Sequence, residues 1–134
     1  MYRLGVSGHF MIAHSFVGEI FGPAQQLHGA TYAVEMEIVR AELDGNGLVC
    51  DIGAAKALLD SVLGEFAYRN LDDEPAFRGR NTTTEFLAGE IFRRVKGRLN
   101  AGVLGPGTVN ALDRLRVTLR ESPIAWASFE GDLG

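Results

Sequence analysis

The chain has 134 residues, of which 46% are hydrophobic and 22% charged, and its formal net charge is −4. This length and balance are typical of one folded domain with its own core, so we expect residues 1–134 to form a single domain. The net negative charge argues against nucleic-acid binding, and no apolar run is long enough to cross a bilayer. A single cysteine, Cys50, excludes an internal disulfide framework. These features predict a cytoplasmic protein with neither a nucleic acid nor a membrane as partner.

Two long strands are predicted in the first third of the chain. Residues 2–16 alternate apolar and polar side chains, with an interruption at Gly8 that permits a bulge or a close backbone approach. A loop at 17–27 follows, and residues 31–42 then alternate more regularly. Such alternation is typical of a strand with one face on a core.

A tight turn and a first helix are predicted next. The glycines and the asparagine of residues 44–47 tolerate the positive φ angles of a hairpin turn, which leads into a short strand at residues 48–50. Asp51 is a suitable N-cap for a helix that continues to about Phe66.

A second helix is predicted after a polar loop at residues 69–81. Residues 82–85 have the Thr-x-x-Glu spacing of a capping box, which would mark its start. Its apolar stripe has helical spacing. The stripe consists of Leu87, Ala88, Ile91, Phe92, Val95 and Leu99.

Two further strands close the chain, after a glycine-rich linker at residues 102–110. They cover residues 115–121 and 124–129, with a turn at Ser122-Pro123. Two helices between two pairs of strands predict an α+β fold with both helices on one face of an antiparallel sheet. The other face then lacks a cover, which predicts an oligomer.

Two histidines lie at predicted strand ends, where they could form half of a metal site. His14 ends the first strand, and His28 precedes the second at the turn through Gly29. Catalytic zinc normally takes three protein ligands. His9 has the opposite strand parity to His14, so it could be the third ligand only if Gly8 marks a bulge. Gln25, or a carboxylate from elsewhere in the chain, is a poorer ligand. The alternative is that both imidazoles are held by ordinary hydrogen bonds.

Five segments carry a resemblance to one family. They are Phe10-Met11-Ile12-Ala13-His14, Leu27-His28-Gly29-Ala30-Thr31-Tyr32, Asn46-Gly47-Leu48-Val49-Cys50-Asp51-Ile52, Asn81-Thr82-Thr83-Thr84-Glu85 and Leu119-Arg120-Glu121-Ser122-Pro123. In this order they resemble motifs of the 6-pyruvoyl-tetrahydropterin synthase family, which includes the bacterial 6-carboxy-tetrahydropterin synthases. The resemblance covers nearly the whole chain.

The resemblance implies the tunnelling (T) fold, a four-stranded antiparallel sheet with two helices on one face. In that family three such sheets close into a barrel and two trimers stack into a hexamer. We therefore expect a homo-hexamer, a dimer of trimers, whose barrel would cover the free sheet face.

The family's zinc site is incomplete in this sequence. Family members hold zinc with one histidine from the first strand and two from a His-Gly-His motif. His14 and His28 match two of these positions, but the third is Ala30. We therefore expect no bound zinc and no other cofactor.

The family's proton-relay residues are also replaced. The position of its cysteine is Ala24, and its Asp-His pair corresponds to Ala67 and Tyr68. Cys50 lies in another motif, and an unperturbed tyrosine titrates near 10, so Tyr68 is not an equivalent base. The sequence therefore predicts that no catalytic residue of the family remains and that the family reaction is absent.

The residues that anchor the pterin ring in the family are retained. Glu121 matches its ring-binding glutamate, and Thr83 with Thr84 matches its threonine before the second helix. The resemblance therefore implies binding of a pterin-like small molecule at these three residues. From spacing alone, Glu121 could instead be an exposed strand-end carboxylate, and helix capping would explain both threonines.

Two other functions stay open at this point. The chain could be an enzyme of altered chemistry, a lyase or isomerase acting on a dihydropterin with Tyr68 or His28 as acid or base. It could also be a non-catalytic assembly or regulatory subunit without a ligand.

Overall fold

Four strands form one antiparallel sheet in the order β1-β2-β3-β4 in a computed structural model that describes residues 1–134. Two α-helices lie between the strand pairs in sequence. The elements are β1 (Tyr2–His14), β2 (His28–Arg40), α1 (Ile52–Leu63), α2 (Thr84–Asn100), β3 (Arg114–Ser122) and β4 (Ala125–Asp132). The predicted α+β class and four-stranded sheet are therefore confirmed. No helix combines the length and apolar character that a membrane span requires.

The core lies between the sheet and the two helices. Strand alternation turns every second side chain of β2 toward the helices, from Tyr32 through Val34 and Met36 to Ile38, and all four are buried. Helix α1 packs against β1, and α2 packs against β3 and β4. Both helices thus cover one face, as the sequence predicts.

The opposite face of the sheet is polar and carries ion pairs between neighbouring strands. Arg116 pairs with Glu37 across β3 and β2, and Arg114 of β3 donates to Asp132 of β4 at 2.6 Å. The Arg120 guanidinium lies 4.7 Å from the ring centre of Trp126. This face has no cover within one chain, and its cations are largely matched by neighbouring carboxylates.

Both helices begin at side-chain caps. Asp51 accepts the Ala54 N–H at 3.1 Å, which confirms the predicted N-cap of α1. The cap of α2 is Thr83, whose hydroxyl accepts the Phe86 N–H at 3.1 Å. Helix α2 therefore begins one residue later than a box starting at Thr82 would place it, because the Thr82 hydroxyl has another partner.

Residues 48–50 do not form the short strand that the sequence predicts. Asp44 instead accepts the N–H groups of Asn46 and Leu48 at 2.8 and 3.0 Å, and Val49 offers its carbonyl to Arg40 at 3.2 Å. These bonds occupy the backbone groups that a ladder would use. Gly8 makes no bulge, because the β1–β2 register is continuous. A side chain there would instead lie 3.1 Å from Leu63 of α1.

The outer edge of β1 is partly covered. At its C-terminal end the Tyr68 N–H donates to the Met11 carbonyl at 2.7 Å, and Ala13 donates to Arg69 at 3.0 Å. Further along, the Lys56 ammonium donates to the Ser7 carbonyl at 2.7 Å. The rest of this edge and the outer edge of β4 have no strand beside them.

Candidate functional site

A cavity of about 520 Å³ lies at the end of the sheet where β1 finishes and β2 begins. Its lining includes both histidines at the strand ends, the alanine at the family's third ligand position and the glutamate of β3. These are His14, His28, Ala30 and Glu121. The structure thus brings together residues from three strands that the sequence singled out separately.

The two imidazoles are adjacent and individually oriented. Their ring centres are 4.6 Å apart, as expected from the direct pairing of His14 with His28 in the β1–β2 register. The Nδ1 atom of His28 donates to the Gln26 carbonyl at 2.8 Å, since a carbonyl can only accept. The Nδ1 atom of His14 is hydrogen-bonded to the Thr82 hydroxyl at 3.0 Å. In each ring, Nε2 is left without a protein partner.

His14 is buried, with 1% of its surface exposed. Burial lowers the pKa of its imidazole, and the nearby His28 acts in the same direction, while Asp72, Thr82 and Glu121 oppose them. The neutral ring is therefore favoured around neutral pH. A neutral imidazole with a free Nε2 can accept a proton or a hydrogen bond from a ligand.

The residues present do not fit the three-histidine zinc site of the family. Ala30 follows His28 by two residues and lines the same cavity, where it presents a methyl group instead of an imidazole. No group of three or more His, Cys, Asp or Glu side chains is arranged to hold a metal ion. The cavity therefore presents two imidazoles whose Nδ1 atoms are engaged, and no third imidazole lines it.

Glu121 lies at an irregularity of the β3–β4 pairing. The register passes from Arg120 opposite Trp126 to Ser122 opposite Ala125, so Glu121 is the extra residue of a bulge. Bulges redirect side chains and occur often beside binding sites. Glu121 lines the histidine cavity and also a second one of about 300 Å³, which Thr84 and Trp126 border.

The carboxylate of Glu121 is supported from α2. The buried Thr84 donates its hydroxyl to one carboxylate oxygen. The other oxygen has no partner within the chain, and the residue as a whole is exposed in the single chain. Thr83 is engaged as the helix cap, so the structure brings Thr84 and not Thr83 into contact with the glutamate.

Tyr32 also belongs to this cluster, which sequence reasoning did not single out. Burial raises the pKa of its hydroxyl to about 12, with Thr84 beside it acting in the opposite direction and Glu121 in the same one. The neutral phenol is therefore maintained at any physiological pH. Its even position on β2, in phase with His28, is the signal that could have placed it on the same sheet face.

The positions of the family's proton relay are separated. Ala24 lines the histidine cavity, where its methyl group offers no proton-transfer chemistry. Tyr68 lies outside that cavity with 87% of its surface exposed, and it is the one non-glycine residue with positive φ, at 62°. Within a single chain, Tyr68 therefore does not contact the histidine pair.

Two further residues hold the end of β1 beside the cavity in place, and sequence reasoning did not identify either of them. Thr82 is 2% exposed and positions the His14 ring. Asp72 accepts the Ser15 N–H at 3.1 Å and the Ser15 hydroxyl at 2.5 Å. Their partners lie 57 or more residues away in the chain, so no local pattern could reveal these bonds.

Comparison with known proteins gives consistent results. The family model described as 6-pyruvoyl tetrahydropterin synthase matches residues 3–132. The 6-carboxy-5,6,7,8-tetrahydropterin synthase of Bacillus subtilis (strain 168) is 27% identical over 137 residues, covering 99% of this chain and 88% of that protein.

Two solved structures of similar shape are 6-pyruvoyl tetrahydropterin synthases. The 6-pyruvoyl tetrahydropterin synthase of Caenorhabditis elegans superposes with a TM-score of 0.79 at 24% identity, covering 97% of this chain and 95% of that one. The enzyme of the same name from Plasmodium vivax gives 0.78 at 16% identity, covering 98% of both chains. At these identities the structural likeness shows the fold alone.

Proposed function

Because the chain belongs to the 6-pyruvoyl tetrahydropterin synthase family, we propose that it binds a pterin-like heterocycle through Glu121 and lacks the family's zinc-dependent reaction. The observation that carries the proposal is the setting of Glu121. It lies at a strand bulge between two cavities, with one carboxylate oxygen held by Thr84 and the other without a partner.

A carboxylate in this setting suits the edge of an amino-pyrimidine ring. That edge presents two N–H donors side by side, and a carboxylate accepts such a pair through charge-assisted, bidentate hydrogen bonds. Thr84 fixes the orientation of the carboxylate and so reduces the freedom that would be lost on binding. The 520 Å³ cavity beside it is within the range of small-molecule sites.

The proposed absence of the family reaction rests on alanines at three positions where the resemblance implies functional residues. Ala30 replaces the third zinc ligand, and alanine stands at two of the relay positions, Ala24 and Ala67. Metal-assisted proton transfer needs both a polarising ion and a base near the reacting carbon. We therefore expect ring binding without the family's rearrangement of the side chain.

A hexamer built from two trimers remains part of the proposal. Each chain offers a free edge on β4 and a partly free edge on β1, so copies can join head to tail. Such a heterologous contact closes into a ring when the rotation between copies allows it. Exposed apolar side chains at both edges support a subunit contact, including Tyr2, Met11 and Trp126.

Titration calorimetry with a panel of pterins tests the anchor role. We expect Glu121→Gln to weaken binding by about tenfold or more, because a charge-assisted hydrogen-bond pair becomes a neutral one. Glu130→Gln is the matched control, since Glu130 lies on the polar sheet face and pairs with Arg114. Equal affinities in the parent chain and Glu121→Gln would remove the anchor. No affinity for any pterin would favour an assembly or regulatory subunit.

A second candidate function is catalysis of altered chemistry on a dihydropterin, as a lyase or isomerase. It is favoured by the free Nε2 of His28 in the cavity and by the positive φ of the exposed Tyr68, since strained residues concentrate at functional sites. Turnover of dihydropterins that disappears in His28→Ala or Tyr68→Phe would support it. Unchanged substrate across the panel, measured by chromatography with intact ring binding, would count against it.

A further inference from the structure

Tyr32 is a buried titratable side chain to which the proposed function gives no role. It is 1% exposed, and its ring packs on Phe10 with the ring centres 5.3 Å apart. Burial raises the pKa of its hydroxyl to about 12, so the group keeps its proton and is available as a hydrogen-bond donor. A phenylalanine would fill nearly the same space, so packing alone does not account for the hydroxyl.

Strand pairing places Tyr32 beside Glu121. The β2–β3 ladder ends with Ala33 opposite Arg120, so Tyr32 and Glu121 are the next residues on the two strands. Alternation along β2 turns Tyr32 toward the helices. Both side chains line the histidine cavity. The phenol is therefore a cross-strand neighbour of the carboxylate that the proposed function uses.

Thr84 connects the two side chains. Its hydroxyl donates to one carboxylate oxygen of Glu121, and the same hydroxyl lies within hydrogen-bonding reach of the Tyr32 hydroxyl. A carboxylate has no proton to donate, so the Thr84 proton is used toward Glu121 and the lone pairs of Thr84 remain for the phenol. The direction of donation is therefore fixed, from Tyr32 to Thr84 to Glu121.

A chain of hydrogen bonds in this order strengthens its last bond. A hydroxyl that accepts a hydrogen bond becomes a better donor, and a low local dielectric increases the effect. Tyr32 and Thr84 are both buried, and Thr84 is fixed as the first residue of α2. Glu121, by contrast, is an exposed residue at a bulge, so the orientation of its carboxylate depends on this side-chain support.

We propose that Tyr32 is a positioning residue, whose hydroxyl acts through Thr84 to hold the Glu121 carboxylate in the orientation that binds the ligand. Tyr32 is assigned no contact with the ligand itself. The inference deepens the proposed function and rests on Glu121 as the ring anchor. It differs from a packing role, because packing requires the ring of Tyr32 and positioning requires its hydroxyl.

Calorimetric titration with unsubstituted pterin in a double-mutant cycle tests the proposal on the full chain. We expect Tyr32→Phe to weaken pterin binding about fivefold, the effect of one neutral hydrogen bond. In the Glu121→Gln background the same substitution should change the affinity by less than about twofold, because the carboxylate that it orients is gone. A packing role would instead give the same loss in both backgrounds.

Two variants of Thr84 test the connection, and a second tyrosine gives the control. Thr84→Val removes the linking hydroxyl and should abolish the effect of Tyr32→Phe, whereas Thr84→Ser retains the hydroxyl and should retain the effect. Tyr2→Phe is the matched control, because it removes a hydroxyl from an exposed tyrosine at the start of β1 and should leave the affinity unchanged. Circular dichroism of each variant confirms that it is folded.

Urea unfolding of the same variants separates this inference from the proposed function, because it needs no ligand. Non-additive effects of Tyr32→Phe and Glu121→Gln on the free energy of unfolding support the hydrogen-bonded chain. If they occur without any affinity for pterin, only the proposed function is rejected. Additive effects on unfolding, or an equal loss of pterin affinity from Tyr32→Phe in both backgrounds, would overturn the positioning role and leave Glu121 as the anchor. An equal loss in Tyr2→Phe would overturn it as well.

Discussion

Replacing Ala30 by histidine is expected to raise the zinc content of the purified protein from near zero to about one ion per chain, because it completes a three-ligand site. The new imidazole would enter the cavity that His14 and His28 already line. Both existing rings have Nδ1 engaged, His28 as a donor to a carbonyl, which orients Nε2 as ligands of zinc sites are oriented. Mass-spectrometric metal analysis after dialysis against zinc measures the change.

Ala33→His is the matched control for that experiment. Residue 33 is an odd position of β2, opposite His9 in the register, and so lies on the polar sheet face away from the cavity. It adds an imidazole without completing the site. Stoichiometric zinc in the parent chain would contradict the proposed loss of the zinc site. Failure of Ala30→His to gain zinc would show that the third position is not equivalent to the family's ligand.

The largest stability effect is expected from Phe66→Ala, which should lower the free energy of unfolding by about 3–5 kcal/mol. Phe66 is 1% exposed, and its ring centre lies 5.8 Å from that of Phe10 and 6.1 Å from that of Phe77. The Arg94 guanidinium lies 4.5 Å from the same ring centre. Removing the ring therefore leaves a cavity between sheet and helices. Domains are commonly stable by only about 5–15 kcal/mol, so the loss is a large fraction of the total.

Phe66→Leu provides the graded comparison for Phe66→Ala, because it retains most of the buried apolar volume and should cost less. Urea unfolding followed by circular dichroism gives both values. If Phe66→Ala cost no more than Phe66→Leu, the aromatic cluster would not be supporting the loop that carries Arg78 and Arg80.

The order and type of the elements could be predicted because the signals for them are local. The alternation around Val34 and Met36 reports one buried face directly, and Asp51 caps α1 through a residue three positions away. The strand predicted at residues 48–50 failed because Asp44 forms a turn with nearby N–H groups, which competes with a ladder. The predicted start of α2 was one residue too early, because Thr82 is hydrogen-bonded to His14 and does not cap the helix.

The candidate site was only partly predictable for a related reason. Motif resemblance indicated His14, His28 and Glu121 one at a time, but their shared cavity depends on pairing between strands that are far apart in sequence. The bulge at Glu121 carries no distinctive residue pattern, so the direction of the Glu121 side chain could not be derived from the sequence. Sequence reasoning also did not identify the cavity that Arg78 and Arg80 line. A polar loop between helices carries no local sign that Asn81 holds it to Val17.

The partial cover on the outer edge of β1 has a consequence for aggregation. A long strand edge with unpaired N–H and C=O groups can pair with strands of other molecules in many registers, which leads to aggregation. Here an arriving strand must displace the Lys56 ammonium from Ser7, and it cannot slide past Ala13, where residues 69 and 70 already occupy the ladder. The engaged groups thus reduce the number of alignments in which a strand of another molecule can pair with β1.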